Sequence, residues 1–152
     1  ALAKDSRVFD TGGFKSTKTD MTVDDLYAKF LEVFGVARTH CVNMYGMTEL
    51  SSQIYDQNLL SYYTDGSSNY LKATPSWVRS VFLDPATLTP VADGEQGVIA
   101  HYDLANWNSC LAILTEDLGV RTDSGYELNG RAKGAEARGC SIAVDEVMAA
   151  NA

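Results

Sequence analysis

The sequence lacks both a disulfide framework and a closely spaced set of thiols. Its three cysteines, Cys41, Cys110 and Cys140, are odd in number, widely spaced and include no Cys-x-x-Cys pair. Small disulfide-stabilised domains carry an even and denser set, and structural zinc sites need neighbouring thiols. The two histidines, at positions 40 and 101, have no metal-ligand spacing. This usage favours a reducing, cytoplasmic setting and two structural histidines.

Long apolar runs and positive charge are also scarce. No apolar segment is long enough to span a bilayer and no charged-then-apolar leader is present, so we expect no membrane span and no export signal. Lysine and arginine number 12 against 20 Asp and Glu, which gives a net charge of -8. This balance argues against a nucleic-acid partner, because binding a phosphate backbone needs a basic surface. The 152 residues are enough for one domain, and the absence of an initiator Met predicts the later part of a longer protein.

The most informative segment is CVNMYGMTEL, residues 41–50. An apolar, β-compatible run ends there in an aromatic ring, a glycine, a hydroxyl and a carboxylate, from Tyr45, Gly46, Thr48 and Glu49. Glycine permits close approach of a ligand, threonine can donate to a phosphate oxygen, and glutamate can hold a hard cation. These residue types suit a metal-bound nucleotide. Taken alone, they fit an ordinary turn into a surface helix at least as well.

The amino-terminal part has the pattern of a parallel α/β unit. A short strand precedes the glycine loop 11–17, which is either a nucleotide-contacting loop or a plain turn. A helix begins at the capping box of Thr22 and Asp25 and ends at Gly35. The next apolar run predicts a strand, so the glycine loop and the segment 45–49 lie beyond the carboxyl ends of strands. The apolar stripe of the helix is predicted to be core and consists of Leu26, Phe30, Leu31 and Phe34.

The rest of the chain predicts loops and short antiparallel strands. Residues 61–76 have the composition of an irregular loop. The aromatic residues in and after it either line a pocket or pack over the edge of the core; they are Tyr62, Tyr63, Tyr70 and Trp77. We expect strands over 77–83, 98–102, 110–114 and 126–128. Strands at this spacing predict an antiparallel sheet or distorted barrel joined to the α/β half.

The last segment is rich in glycine and basic residues. Residues 130–141 form either a hinge or anion clamp, or a solvated loop, and a short helix is expected over 144–150. We therefore divide the chain into the end of an α/β nucleotide-binding subdomain (1–60), an antiparallel β subdomain (61–129) and a hinge with a short carboxyl-terminal segment (130–152).

The order of these motifs resembles that of the adenylate-forming superfamily, which includes acyl-CoA synthetases, luciferases and peptide-synthetase adenylation domains. Those enzymes carry a glycine-rich adenine loop, Tyr-Gly-x-Thr-Glu, Gly-Glu-x-Gly, Thr-Gly-Asp and Gly-Arg before a hinge. The matching segments here are 11–14, 45–49, 94–97, 115–117 and 130–133. Within the superfamily, the segment 130–141 looks most like the carboxyl-terminal part of LuxE-like acyl-protein synthetases, which activate fatty acids for a reductase partner.

The resemblance implies ATP and Mg²⁺ as cofactors. Tyr45 would lie against the adenine, Asp117 would accept hydrogen bonds from the ribose hydroxyls, and Arg131 would reach the ribose or a phosphate. The implied cofactor-binding residues are Gly12, Gly13, Tyr45, Gly46, Asp117 and Arg131.

The resemblance also implies catalytic residues. Thr48 would contact the α-phosphate, Glu49 would ligate Mg²⁺, and Lys133 would occupy the hinge. A cation and fixed donors are needed because like charge opposes the attack of a carboxylate on the α-phosphorus. Residue 116 departs from the pattern, with glutamate where the superfamily prefers glycine. The superfamily's phosphate loop and its mobile-domain lysine have no match either, so we expect half a nucleotide site that is inactive alone.

The acyl acceptor is the open point of this resemblance. Cys140 would carry the acyl group as a thioester, or it is a small core residue. Cys41 and Cys110 lie in apolar runs and are expected to be structural. The implied function is ATP-dependent activation of a carboxylic, fatty acid and its transfer to a thiol, with an acyl-reductase protein as partner. Two alternatives remain: a fragment of a phenylacetate-type acyl-CoA ligase, and a non-catalytic module that binds a nucleotide or a partner.

Overall fold

The structure is a computed structural model that describes residues 2–3, 5–11 and 21–132. Four of the residues singled out above lie outside these ranges, as does the helix expected over 144–150; they are Gly12, Gly13, Lys133 and Cys140. Among the described residues, the helices are too short or too polar to cross a membrane.

The described residues form one mixed sheet with two helices. In chain order the elements are β1 (Val8–Thr11), α1 (Val23–Phe34), β2 (Cys41–Tyr45), β3 (Ile54–Asp56), α2 (Asn58–Asp65), β4 (Lys72–Ala73), β5 (Val78–Leu83), β6 (Gln96–Asp103), β7 (Ala112–Thr122) and β8 (Gly125–Arg131). The sheet has eight strands in the order β1-β2-β3-β4-β8-β7-β6-β5. Strands β1 and β2 are parallel, and every other neighbouring pair is antiparallel. This confirms the predicted α/β class with an antiparallel extension.

The parallel unit forms as its capping pattern predicts. The Thr22 hydroxyl accepts from the Asp25 N–H at 3.2 Å, and the Asp25 carboxylate accepts from the Thr22 N–H at 2.8 Å. Gly35 ends α1 with a φ of 72°, a left-handed conformation that favours glycine. Because β1 and β2 are parallel, their last residues, Thr11 and Tyr45, lie at the same edge of the sheet.

The apolar stripe of α1 is only partly core, contrary to the prediction. Leu31 and Phe34 are 54% and 38% exposed, and Tyr27 is the buried residue of the helix. Leu26 and Phe30 are half-buried. The physical reason is that the cluster under α1 is small, with Val8, Val36 and Cys41 packed against Tyr27 and Phe30, so only this narrow face of the helix is covered.

Part of the predicted irregular loop is helix α2. Its first residue, Asn58, is fully buried and donates from its amide to the carbonyls of Arg38 at 2.6 Å and Cys41 at 3.0 Å. These bonds hold the helix against β2, although its sequence is too polar to suggest a packed helix. Gly66 ends it with a φ of 77°. Residues 67–71 are irregular, as predicted.

The antiparallel strands form at the predicted turns, but their bounds differ from the expected ones, most of all in β7, which is Ala112–Thr122 rather than 110–114. Residues 115–117, expected at the end of a strand, lie inside β7. The Thr115 hydroxyl is buried there and donates to the Ile99 carbonyl at 2.7 Å, so this polar residue is satisfied within the sheet. The β7–β8 register then shifts between Asp117 and Gly119. A Cβ at Gly119 would lie 2.6 Å from a carbonyl oxygen of β8, so the bulge needs glycine.

The core joins the two halves of the sheet. Lys72 in β4 pairs with Tyr126 in β8 and connects the α/β unit to the antiparallel strands. Side chains from both halves then pack together, namely Leu50, Ile54, Val78, Phe82, Ile99 and Tyr126. The division of the chain near residues 60 and 129 stays a prediction.

A histidine is buried beside this core. His101 in β6 is 0% exposed, and its Nδ1 lies 2.8 Å from the Ser80 hydroxyl oxygen. Burial lowers the pKa of His101 to about 4, although the charges of Asp117 and Asp103 favour the protonated form. His101 is therefore a neutral residue in the folded protein at neutral pH, in keeping with the prediction of a structural histidine.

This burial makes stability depend on pH in a defined window. Below pH 6.5 the unfolded chain protonates His101, while the folded protein resists protonation until about pH 4. Stability is therefore complete above pH 6.5 and falls by up to about 3 kcal/mol as the pH drops toward 4. We expect His101→Gln to lose this component, as measured by urea unfolding between pH 7.5 and 4. Equal pH slopes for the two proteins would contradict it.

Candidate functional site

One hydrogen bond joins the segment 45–49 to the antiparallel strands. The Tyr45 hydroxyl donates to Oδ2 of Asp117 at 2.8 Å, between residues 72 positions apart in the chain. Three strands separate β2 from β7 in the sheet order, and in a flat sheet the two strands would be roughly 19 Å apart. The sheet must therefore curl to bring them together. Tyr45 and Asp117, two of the residues expected around one nucleotide, therefore lie together, and the nucleotide site itself stays a prediction.

Arg131 joins the pair from the last residue of β8. The β7–β8 register puts Arg131 opposite Asp117, and its Nε lies 3.7 Å from Asp117 Oδ1. Its guanidinium also forms an ion pair with Glu116, the residue that departs from the superfamily pattern. The Nε is buried and has no hydrogen-bond partner among the described residues. Arg131 therefore places a positive charge beside the Asp117 carboxylate.

His101 lies behind Tyr45. Its Nε2 is 3.4 Å from the Tyr45 hydroxyl oxygen, and the two rings are 5.6 Å apart between centroids. Burial, and next the charge of Asp117, raise the pKa of Tyr45 above its usual value. Tyr45 therefore keeps its proton at neutral pH and acts as the donor to Asp117. Sequence reasoning did not connect His101 to the site, because no local pattern links β6 to β2.

Thr48 and Glu49 lie at the surface just beyond Tyr45. Both residues are exposed, and within residues 21–132 neither side chain has a hydrogen-bond partner. The Glu49 carbonyl, in contrast, accepts from the Asn106 amide at 2.7 Å. The backbone is thus held while the two side chains assigned to phosphate and metal are available. The structure does not bring them into direct contact with Asp117.

The end of β6 anchors this segment. Asp103, fully buried, accepts from the backbone N–H and the hydroxyl of Ser52, both at 2.9 Å. Asn106 accepts from the Ser51 hydroxyl at 3.1 Å in addition to its bond to the Glu49 carbonyl. Sequence reasoning missed both anchors. The available signal was a polar pair, Asp103 and Asn106, directly after a strand with no evident partner.

A second polar cluster holds β2 two residues before Tyr45. The Asn43 amide donates to Asp10 at 2.6 Å, and the Asn43 N–H donates to Asp56 at 3.0 Å. The buried Lys72 donates to the Asn43 carbonyl at 2.8 Å. Burial lowers the pKa of Lys72 and raises that of Asp56. The cluster connects one residue from each of the strands β1 to β4, and no local sequence pattern predicts it.

The residues present fit one way of binding Mg²⁺. The described residues contain no group of three or more His, Cys, Asp or Glu that could enclose a metal ion. Mg²⁺ commonly binds through one or two carboxylates together with substrate phosphates. The exposed carboxylate of Glu49 suits that mode, in which phosphate oxygens and waters would supply the other ligands.

A groove opens beside the anchored segment. Its volume is about 460 Å³, and its lining carries no charge: Ser51, Ser52, Gln53, Tyr55, Pro75, Trp77 and Ala105. The Trp77 indole donates to the Ser52 hydroxyl at 2.9 Å, which fixes the ring along the groove. Of the four aromatic residues suggested for a pocket, Trp77 lines the groove. The other three contact different groups: Tyr62 and Tyr63 pack on His40, and Tyr70 on Arg38.

The two described cysteines differ in environment. Cys41 is buried, and burial raises the pKa of its thiol to about 11, so it is structural as predicted. Cys110 is exposed, and the expectation that it is structural was wrong. The reason is that β7 begins at Ala112, so Cys110 lies in the preceding turn rather than in a buried strand.

Solved structures share this fold. The match to apo MatB from Rhodopseudomonas palustris has a TM-score of 0.55 at 19% identity and covers 84% of this chain and 26% of that chain. The match to a luciferase-like enzyme from the nonluminescent mealworm Zophobas morio has a TM-score of 0.52 at 17% identity, with 86% and 32% covered. At these identities the likeness concerns the fold alone.

Curated relatives point to one family. The chain is 26% identical over 155 residues to the long-chain-fatty-acid–luciferin-component ligase of Aliivibrio fischeri, which covers 92% of this chain and 37% of that protein. It is 27% identical over 90 residues to the ligase of the same name from Vibrio harveyi, with 55% and 24% covered. The match thus spans little more than a third of the first relative and about a quarter of the second. Residues 1–149 match the family model for acyl-protein synthetase, LuxE, and the chain belongs to that family.

Proposed function

We propose that the chain supplies part of the nucleotide site of an enzyme that activates a long-chain fatty acid with ATP and transfers the acyl group to a thiol. The observation that carries this proposal is the hydrogen bond between Tyr45 and Asp117, with Arg131 beside them. The three residues that the resemblance assigns to adenine and ribose are distant in sequence, yet they meet. A structural role alone does not require this combination of an aromatic ring, a carboxylate and an unsatisfied guanidinium nitrogen.

The residues have the chemistry that a nucleoside needs. Asp117 uses one lone pair of Oδ2 to accept from Tyr45, so its other lone pairs can accept from the ribose hydroxyls. The Arg131 guanidinium, whose side chain is 21% exposed, would donate to the ribose or a phosphate oxygen. Gly12, Gly13 and Gly46 would let the backbone approach the base. Lys133 would act at the hinge.

Thr48 and Glu49 would offset the negative charge of the phosphates, Thr48 as a hydrogen-bond donor and Glu49 by holding Mg²⁺. Mg²⁺ bound through Glu49 would supply positive charge to the phosphates during attack by the carboxylate. The exposed Thr48 hydroxyl would donate to the α-phosphate. Both residues belong to a backbone segment that Asn106 and Asp103 hold by hydrogen bonds. Fixed donors lose little in reorganisation when charge develops in the transition state.

The uncharged groove is our proposed site for the acyl chain. The curated relatives are named for long-chain fatty acids, and an alkyl chain gains most in a groove without charge. The groove begins at Ser51, two residues after Glu49, so a carboxylate at the phosphates and its chain in the groove are compatible.

The cellular setting is also a proposal. The thiols of Cys41 and Cys110 are free, which suits a reducing cytoplasm. An acyl-reductase protein would receive the acyl group, since the resemblance is to enzymes that work with one. A phenylacetate-type CoA ligase differs only in the acceptor, and a non-catalytic module would lack activation altogether.

The metal role of Glu49 is testable in the full-length enzyme. Glu49→Gln should reduce ATP–pyrophosphate exchange by about 100-fold, because the amide no longer binds Mg²⁺. The unfolding midpoint should not change, since the side chain is exposed. Glu127→Gln, at another exposed glutamate, is the matched control and should leave exchange intact. An unfolded Glu49→Gln protein, or one with normal exchange, would refute the assignment.

The groove predicts selectivity by chain length. Ala105→Phe should fill part of the groove and lower kcat/KM for long-chain acids by about tenfold, while short-chain acids are little affected. Ala105→Ser, which adds one atom, is the control. Exchange assays with acids of increasing length measure the effect. An equal loss for every acid would mean that the groove does not hold the chain.

The acceptor can be identified by mass spectrometry. Full-length enzyme incubated with fatty acid, ATP and Mg²⁺ should gain a hydroxylamine-sensitive acyl adduct on Cys140, and Cys140→Ser should lose it. An adduct on the exposed Cys110 would move the acceptor to the β6–β7 connection. An acyl-CoA product after addition of CoA, without a protein adduct, would favour the CoA ligase, and absence of exchange would favour the non-catalytic module.

A further inference from the structure

We propose that His101 and Ser80 are positioning residues for the ribose site, and that they act through the Tyr45 hydroxyl on Asp117. The inference rests on the proposed function, because it assigns a role to groups behind the same nucleotide site. Neither residue belongs to a motif of the resemblance.

Among Ser80, His101, Tyr45 and Asp117, the direction of each hydrogen bond follows from the direction of the next one. Asp117 can only accept, so Tyr45 directs its single hydrogen to Asp117 at 2.8 Å. The Tyr45 oxygen is then an acceptor for an N–H on Nε2 of His101, 3.4 Å away. A neutral histidine protonated on Nε2 has an accepting Nδ1, which lies 2.8 Å from the Ser80 hydroxyl. The order Ser80, His101, Tyr45, Asp117 therefore has one consistent direction of donation.

This series of four hydrogen-bonded groups, which we call the relay, connects strands from both halves of the curled sheet. Ser80 and His101 face each other in the β5–β6 register, whereas Tyr45 belongs to β2 and Asp117 to β7. His101 is 0% exposed and cannot touch a nucleotide itself. Its influence on a ligand must pass through Tyr45, which makes it a positioning residue.

The group that the relay fixes is the Asp117 carboxylate. Tyr45 holds its Oδ2, and Arg131 Nε lies 3.7 Å from its Oδ1. With both oxygens oriented, the carboxylate presents its remaining lone pairs in one arrangement. Without the histidine, the Tyr45 hydroxyl could rotate away from Asp117. The loss should appear as weaker recognition of ribose hydroxyls rather than as a slower chemical step.

The test compares ATP with 2′-deoxyATP in the full-length enzyme. In ATP–pyrophosphate exchange, His101→Met, which removes the donor at similar volume, should raise the KM for ATP by about tenfold and leave kcat little changed. The KM for 2′-deoxyATP, which lacks one of the two ribose hydroxyls, should rise by clearly less. His101→Gln keeps an N–H for Tyr45 and should stay within about threefold of wild type. Ser80→Ala should raise the KM for ATP in the same way as His101→Met, but by less. Ser80→Thr keeps a hydroxyl and should have the wild-type KM.

The outcomes separate this inference from the proposed function. An equal rise in KM for both nucleotides in His101→Met, or no rescue by glutamine, would overturn the relay while leaving the nucleotide site intact. Circular dichroism shows whether His101→Met folds. If it does not, Ser80→Ala and Ser80→Thr are compared instead, by the ratio of the KM for ATP to the KM for 2′-deoxyATP. Absence of exchange in the wild-type enzyme would overturn the proposed function, and the inference with it.

Discussion

The hydrogen bond from Tyr45 to Asp117 is the interaction on which the rest of the site depends. Tyr45 is the last residue of β2 and Asp117 lies within β7, and these two strands are not neighbours in the sheet. The bond therefore forms only if the sheet curls. The two-residue strand β4 is the narrow connection that permits this curl. Arg131 follows from the same geometry, because the β7–β8 register carries it to Asp117. The candidate site is therefore a consequence of sheet topology more than of any one motif.

Buried polar groups then fix the motif in place. A buried amide or carboxylate is costly unless it is hydrogen-bonded, so each one constrains its partners. Asp103 and Asn106 bind the segment just after the motif, and Lys72 binds Asn43 just before it. These polar contacts therefore hold the segment from Tyr45 to Glu49 in a defined position.

Sequence reasoning succeeded where a structure depends on neighbours in the chain, and failed where it depends on distant ones. The capping box of Thr22 and Asp25 involves residues three apart, so the start of α1 was readable, and so was its end at Gly35. The meeting of Tyr45 with Asp117 was predicted from the order of motifs, not from their chemistry. The exposure of Leu31 on α1, the buried Asn58 of α2 and the position of His101 all depend on what packs against them. No local pattern carries that information.

Charge balance indicates that the proposed nucleotide site needs more than these residues. Among the described residues beside Asp117, one cation, Arg131, faces the carboxylates of Glu116 and Asp117. A triphosphate brought to this edge would add several negative charges, which interact strongly where water is displaced. Arg131 is already shared with Glu116, so it cannot neutralise them alone. The proposed reaction therefore requires Mg²⁺ at Glu49 and further cations, and the basic segment that begins at residue 130 contains them in its sequence. The glutamate at position 116 makes that requirement stricter than a glycine would, because it takes up part of the charge of the arginine.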